Sequence, residues 1–285
     1  MNLTDIKRIG VCGAGTMGAG IAQVFAQSGF DVVLFDLSKE VLLTAEKLIA
    51  ANLAKAVEKN KISEQQKNEA LSRISFIDDL KALKADLVIE AIVEKLEVKE
   101  KLFAELAAIN NVNTIFASNT SSLSITAIAK SISNSKRFVG LHFFNPAHLM
   151  NLVEIIQAVE TSDETIMTMK ELCAKIGKTA VVCKNSPGFI VNRVARNFYT
   201  ESLQILEDNA AKMENIDALL ESAGFKMGPF KLMDTIGNDI NFAVTSSLYN
   251  SFHQVAKFRP SRIQEQNVVS GNLGKKTGKG FYNYE

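Results

Sequence analysis

Apolar and polar positions alternate in blocks along the first two thirds of the chain. A short apolar run at residues 8–12 leads into a glycine-rich turn at 13–18. Apolar side chains then fall at Ile21, Ala22, Val24, Phe25 and Ala26, the spacing of one helix face. Ser28-Gly29 stops that helix, and residues 31–35 return to a strand-like run. Together these segments predict a strand–helix–strand unit within about thirty residues. Residues 38–60 and 64–73 predict two polar-faced helices, a long helical excursion between strands, with Ser38 and Ser63 as N-caps. Further strands are predicted at 74–77, 87–92, 114–118, 138–144, 152–158 and 179–183, with helices at 96–109, 124–131 and 163–176 between them. Such alternation implies an α/β domain with a mainly parallel sheet and helices on both faces.

The pattern changes at Asn185-Ser186-Pro187-Gly188. From there to about residue 250 the periodicity is helical and strand signals are nearly absent. The expected division is a first domain over residues 1–185 and an all-α domain over 186–285, the second opening with a helix whose first turn carries Pro187. Residues 271–284 are rich in glycine and lysine and end in aromatics, which suggests a loop with a docked tail.

Composition narrows the function classes. The net charge of +1 gives no broad field for nucleic acid or an anionic membrane, so neither is expected as a partner. The longest apolar stretches, such as 87–93, are strand-sized and too short to span a bilayer. Asp5, Lys7 and Arg8 interrupt the start of the chain where a secretory signal would need an apolar run, and a cytoplasmic location is the expectation. Cys12, Cys173 and Cys183 form no CxxC, so neither a disulfide framework nor a metal site is expected.

Gly13-Ala14-Gly15-Thr16-Met17-Gly18 matches GxGxxG between a strand and a helix, with Asp36 at the end of the next strand. Gly13 permits the tight turn, Gly15 lets a pyrophosphate approach the backbone, and Gly18 lets the helix pack on the strands. Thr16 and Met17 open the helix, whose N-terminal N–H groups suit phosphate. A carboxylate at Asp36 accepts from the adenosine ribose hydroxyls and repels a 2′-phosphate. The nearest base is Lys39. A Rossmann-like domain binding NAD rather than NADP is expected.

Histidine occurs only at 142, 148 and 253. A lone strand histidine is more often a core residue than a catalyst. His142, however, stands near the carboxyl end of a late strand, where ligands bind in such sheets, and Glu154 opens the next strand. A carboxylate on one ring nitrogen fixes the tautomer and favours the imidazolium, which is what metal-free alcohol dehydrogenation needs.

Four segments then resemble the 3-hydroxyacyl-CoA dehydrogenase family, in order and across the whole chain. They are His142-Phe143-Phe144-Asn145-Pro146 with Glu154; Ala117-Ser118-Asn119-Thr120-Ser121-Ser122-Leu123; Ser186-Pro187-Gly188-Phe189 followed by Asn192-Arg193; and the tail Gly274–Tyr282. The resemblance implies oxidation of a short (S)-3-hydroxyacyl-CoA, 3-hydroxybutyryl-CoA first, to the 3-ketoacyl-CoA. His142 would be the acid/base and Glu154 its orienting partner. Ser121 would hydrogen-bond the substrate's 3-oxygen, and Asn192 would reach the substrate from the helical domain. Asn145 would help hold the nicotinamide and substrate end, and Glu94, Lys99 and Lys276 would contact the nicotinamide half of NAD, with Ser121 a further cofactor contact. Lys55 and Lys59, one helical turn apart, and Asn52 would receive the CoA end. A homodimer through the helical domain is implied as well.

Three other readings stay open. One is a two-domain dehydrogenase of the 3-hydroxyisobutyrate or 6-phosphogluconate type, which resembles this architecture but uses a lysine that the turn around Asn192 lacks. Another is a dehydrogenase for a substituted or dicarboxylic acyl-CoA or another 3-hydroxy acid. The third is a non-catalytic NAD-binding protein. For single residues, Ser121 could merely cap the following helix and Lys55 or Lys59 could be solvated surface charge.

Overall fold

A computed structural model describes residues 2–284, which divide into two compact units, one ending at Ser186 and the other beginning at Pro187. In the first unit β1 (Arg8–Cys12), α1 (Thr16–Gln27) and β2 (Asp31–Phe35) form the opening strand–helix–strand unit. The excursion follows as α2 (Lys39–Glu58) and α3 (Glu64–Ser72). Ser38 and Ser63 cap these helices by accepting from Val41 N and Gln66 N, contacts each worth about 1 kcal/mol. The chain continues through β3 (Ile74–Ile77), β4 (Leu87–Glu90), α4 (Leu96–Ile109), β5 (Ile115–Ser118), α5 (Ile125–Ala129) and β6 (Phe138–Phe143). It ends with β7 (Leu152–Gln157), α6 (Asp163–Lys175) and β8 (Thr179–Lys184).

The strands make one eight-stranded sheet in the order β3-β2-β1-β4-β5-β6-β7-β8, with β6 and β7 antiparallel and the other pairs parallel. β1, β4, β5 and β6 are buried along most of their length, the mark of strands covered on both faces. Because β1 through β6 run parallel, their carboxyl ends share one edge of the sheet. β7 reverses, so its first residues return to that same edge. The strand order changes direction between β1 and β4, which opens a crevice at the carboxyl ends.

Two expectations need correction. The strand predicted over 87–92 stops at Glu90, because the Glu90 carboxylate takes the Ile92 N–H that a neighbouring strand would otherwise take. Pro187 is not in a helix. Gly188 and Phe189 hold φ of +73° and +50°, a left-handed backbone that cannot continue into a right-handed helix, so α7 starts only at Val191.

The second unit holds α7 (Val191–Glu207), α8 (Met213–Ser222), α9 (Pro229–Ile236), α10 (Asn238–Ser251) and α11 (Arg262–Val269), which extends the helical pattern beyond residue 250. Its core gathers Tyr199, Leu203, Ile216, Phe230 and Met233, with Phe281 and Tyr282 of the tail packed against them. Buried Asp234 fastens that tail by accepting from Phe281 N, Tyr282 N and the Tyr284 hydroxyl at 2.9, 2.9 and 3.0 Å. Among the described residues no helix is long and apolar enough to cross a membrane.

Candidate active site

The turn after β1 separates two kinds of glycine. A Cβ on Gly13 would lie 2.6 Å from Ala91 O, and one on Gly18 would lie 1.7 Å from Gly13 O, so packing alone excludes side chains at both. At Gly15 nothing in the protein comes within 4 Å of a Cβ. Its bareness instead leaves open the approach to the N-terminus of α1, where Thr16 and Met17 stand and the first helical N–H groups lack intrahelical acceptors. A pyrophosphate fits that opening.

Asp36 follows β2 and is half-buried. Its Oδ2 accepts from Ala14 N at 2.8 Å and its Oδ1 from Ser38 N at 3.0 Å, which locks the carboxylate beside the turn. Gly13, Gly15, Asp36, Leu37, Ile92 and Val93 are among the walls of a cleft of about 610 Å³, a volume suited to a nucleotide. Leu37 and Val93 are 85% and 54% exposed there, apolar surface that a flat base would cover. Lys39 Nζ lies 3.1 Å from Asp78, so the nearest base is already engaged by an acid. These donors and acceptors fit a dinucleotide with a free ribose 2′-hydroxyl.

Glu90, at the end of β4, is fully buried. It accepts from Ile92 N, from Ser118 Oγ at 2.7 Å and from Lys99 Nζ. Lys99 is 1% exposed and also lies 3.2 Å from Glu94 Oε2, so one ammonium serves two carboxylates. Glu94 in turn gathers the loop after β5. Its Oε1 accepts from Ser121 N at 3.1 Å, Ser122 N at 3.2 Å and Ser122 Oγ at 2.9 Å, and from the Thr120 hydroxyl. Burial works against the charge of Glu94, but Lys99 and the hydroxyls of Thr120 and Ser122 outweigh it, so the carboxyl titrates below its ordinary range. The Ser121 loop is thus tied through Glu94 and Lys99 to the sheet edge.

His142 and Glu154 face one another directly across β6 and β7. Opposed residues of antiparallel strands project to the same face. Nδ1 of His142 lies 2.8 Å from Oε2 of Glu154, with the two side chains 7% and 1% exposed. Phe144 lies against the imidazole at 4.4 Å between centroids. Phe143, next to His142 in the chain, donates its N–H to Asn119 Oδ1 at 2.8 Å, which joins the strand of the histidine to the loop of Ser121. Asn145 follows, exposed, in the β6–β7 loop.

Asn52, Lys55 and Lys59 share a cleft of about 450 Å³ with Gln23, His148 and Leu149. Both lysines are exposed, while Asn52 donates to Gln23 Oε1 at 3.2 Å. Burial and then the neighbouring Lys178 push the His148 imidazole below its ordinary pKa. In the second unit Asn192 is the second residue of α7. Lys276 of the tail is held by both Asp239 oxygens at 2.6 and 2.7 Å. Sequence reasoning missed Glu90 and Thr120 as anchors of this site. A carboxylate closing the apolar run Leu87–Glu90 was the available signal, since a buried acid requires partners.

Comparison with known proteins is consistent along the whole chain. Residues 8–186 match the 3-hydroxyacyl-CoA dehydrogenase NAD-binding domain, and residues 188–284 match the C-terminal domain of the same family. A 3-hydroxyadipyl-CoA dehydrogenase of Escherichia coli is 47% identical over 99% of the chain, which spans 60% of that protein's length. A 3-hydroxybutyryl-CoA dehydrogenase of Bradyrhizobium diazoefficiens is 43% identical over 98% of the chain and 96% of its own length. The crystal structure of an (S)-3-hydroxybutyryl-CoA dehydrogenase from Ralstonia eutropha superposes with a TM-score of 0.95 at 40% identity, over 98% of this chain and 99% of that one.

Proposed function

The chain belongs to the 3-hydroxyacyl-CoA dehydrogenase family, whose members are NAD-dependent oxidoreductases, and from that premise we propose that it interconverts a short-chain (S)-3-hydroxyacyl-CoA and its 3-ketoacyl-CoA. 3-Hydroxybutyryl-CoA is the first candidate. The observation that carries the reading is the buried His142–Glu154 pair at the edge where the parallel strands end.

With Nδ1 donating to the Glu154 carboxylate, the other ring nitrogen of His142 is left as an acceptor. Bound NAD supplies the hydride acceptor. His142 takes the proton of the 3-hydroxyl as the C3–H bond gives up its electron pair. Glu154 stabilises the imidazolium that results, and the Ser121 hydroxyl holds the 3-oxygen. The imidazolium then releases its proton to solvent, and ketone reduction runs the same sequence backwards.

Asp36 takes the adenosine ribose and the Gly13–Gly18 turn the pyrophosphate. Asn145, Glu94 and Lys276 are assigned to the nicotinamide half. Lys99 is assigned there through Glu94, since its own ammonium is buried. Asn192 is assigned to substrate, and Asn52, Lys55 and Lys59 to the CoA end. The first unit is read as the NAD-binding domain and the second as the substrate and dimerisation domain. A cytoplasmic location and a homodimer through the second unit belong to the same reading, and the exposed Val194, Leu219 and Phe225 offer apolar surface for the dimer contact.

A dicarboxylic acyl-CoA is the second reading, favoured by the 47% identity to a protein named 3-hydroxyadipyl-CoA dehydrogenase. Measuring kcat/KM with acetoacetyl-CoA and with 3-oxoadipyl-CoA separates them. A higher value for acetoacetyl-CoA supports the first reading, and the reverse order replaces it with the second.

A further inference from the structure

Lys178 is 9% exposed, and among the described residues no carboxylate stands within ion-pair distance of it. Its ammonium instead donates to two backbone carbonyls, Ala147 O at 2.8 Å and Met150 O at 2.7 Å. Both belong to the loop between β6 and β7, which links the strand of His142 to the strand of Glu154. The lysine is itself held at a fixed place. Helix α6 ends with Gly177 at φ +70°, Gly177 N donates to Ala174 O at 3.1 Å and Lys178 N to Cys173 O at 2.8 Å. That is the double bond of a Schellman cap, and Thr179 N then joins Asn151 O at 2.8 Å. Leu149 N and Met150 N both turn back to Pro146 O, and Ala147 packs against α1 where a Cβ on Gly20 would come within 3.1 Å of it.

Pro146, His148 and Leu149 of this loop form one wall of the 450 Å³ cleft whose other wall carries Asn52, Lys55 and Lys59. A buried cation is costly without compensation, and two carbonyl dipoles repay only part of that cost. Placed behind the wall, its charge also adds to the positive potential of a cleft read as receiving an anionic ligand.

We infer that Lys178 is a positioning residue for the acyl-CoA: its ammonium clamps the β6–β7 loop so that Pro146, His148 and Leu149 stand as the fixed wall opposite Lys55 and Lys59. The inference rests on the reading of that cleft as the CoA site. Lys178 touches no reacting atom in this scheme, so its loss acts on substrate binding before it acts on the chemical step.

The test uses the full-length protein with Lys178→Met, which keeps the stem and removes the charge and donors. The expected result is a KM for acetoacetyl-CoA raised about tenfold, with kcat and the NADH dissociation constant each within about twofold of the parent. Lys178→Arg, which keeps charge and donors, recovers most of the loss. An unchanged KM in folded Lys178→Met overturns the inference. So does a parallel fall in kcat, NADH affinity and melting temperature, which would make the residue merely structural. The double variant Lys55→Ala/Lys59→Ala separates the two levels. If it leaves KM unchanged, the cleft is not the CoA site; if it raises KM while Lys178→Met does not, the clamp alone fails. Should Lys178→Met not fold, hydrogen exchange on the parent protein decides. Added coenzyme A slows exchange in residues 146–151, and unchanged exchange there overturns the assignment.

Discussion

Nδ1 of His142 and Oε2 of Glu154 lie 2.8 Å apart, on residues directly opposed across the only antiparallel pair in the described sheet. The reversal at β7 is what brings a carboxylate at the start of one strand to an imidazole near the end of another. Both are nearly excluded from water, and in the proposed mechanism the carboxylate stabilises the imidazolium formed in turnover. Replacing Glu154 by Gln keeps the shape and removes the charge. Turnover is expected to fall by about 10² or more, within the range for a positioned acid/base group, while NADH affinity measured by fluorescence stays near the parent value. Turnover kept near the parent level would remove Glu154 from the mechanism.

The Glu90–Lys99 pair is an internal feature, with both side chains at or below 1% exposure. Breaking such a pair from one side leaves a buried charge without its partner. Lys99→Met is therefore expected to cost about 3–5 kcal/mol of stability, read from urea unfolding. A loss below about 1 kcal/mol would show that Glu90 finds another partner or a proton.

Glu94 sets the acid limit of the loop that carries Ser121. Its folded pKa lies below the ordinary 4.5. A depressed carboxylate contributes stability in full above its unfolded value, and that contribution is lost as pH falls through the folded one. Order in the Ser121 loop should persist through mildly acidic pH and fail below pH 4.5. Hydrogen exchange across residues 119–123 reads this. In Glu94→Gln the pH dependence within that window should be absent, and an unaltered profile would assign it to another group.

Gly15 and Gly18 should respond differently to the same added methyl. Gly15→Ala places a Cβ in open space, so the melting temperature of the free protein should be unchanged while NADH binding weakens. Gly18→Ala places a Cβ 1.7 Å from Gly13 O and should destabilise the free protein. Equal NADH affinity in Gly15→Ala and the parent would mean that no phosphate approaches there.

Much of this was legible in the sequence because the signals are local. The β1–α1–β2 unit, its glycines and Asp36 fall within one short span, and each glycine answers to a backbone demand close in sequence. His142 and Glu154 were legible as a strand end and a strand start, although their pairing depends on the reversal between them. The Glu90–Lys99–Glu94 arrangement was not. Ser118 and Glu90 meet across 28 positions, and no periodicity announces a side chain's partner at that range. Lys178 was hidden likewise, since its two acceptors are backbone carbonyls that any residue could supply. The late start of α7 follows from positive φ at Phe189, an uncommon conformation for an aromatic residue that composition gives no reason to expect.

The most direct test of the central claim is to mix purified protein with acetoacetyl-CoA and follow oxidation of NADH and NADPH in parallel by their absorbance. Rapid loss of NADH, with NADPH consumed far more slowly, is the predicted result, since the Asp36 carboxylate is fixed beside the glycine turn, where it is proposed to take the ribose, and Lys39 is engaged by Asp78. Absence of turnover with NADH, on acetoacetyl-CoA and on longer and dicarboxylic 3-ketoacyl-CoAs alike, would contradict the account and leave a protein that binds the dinucleotide without carrying out the reaction.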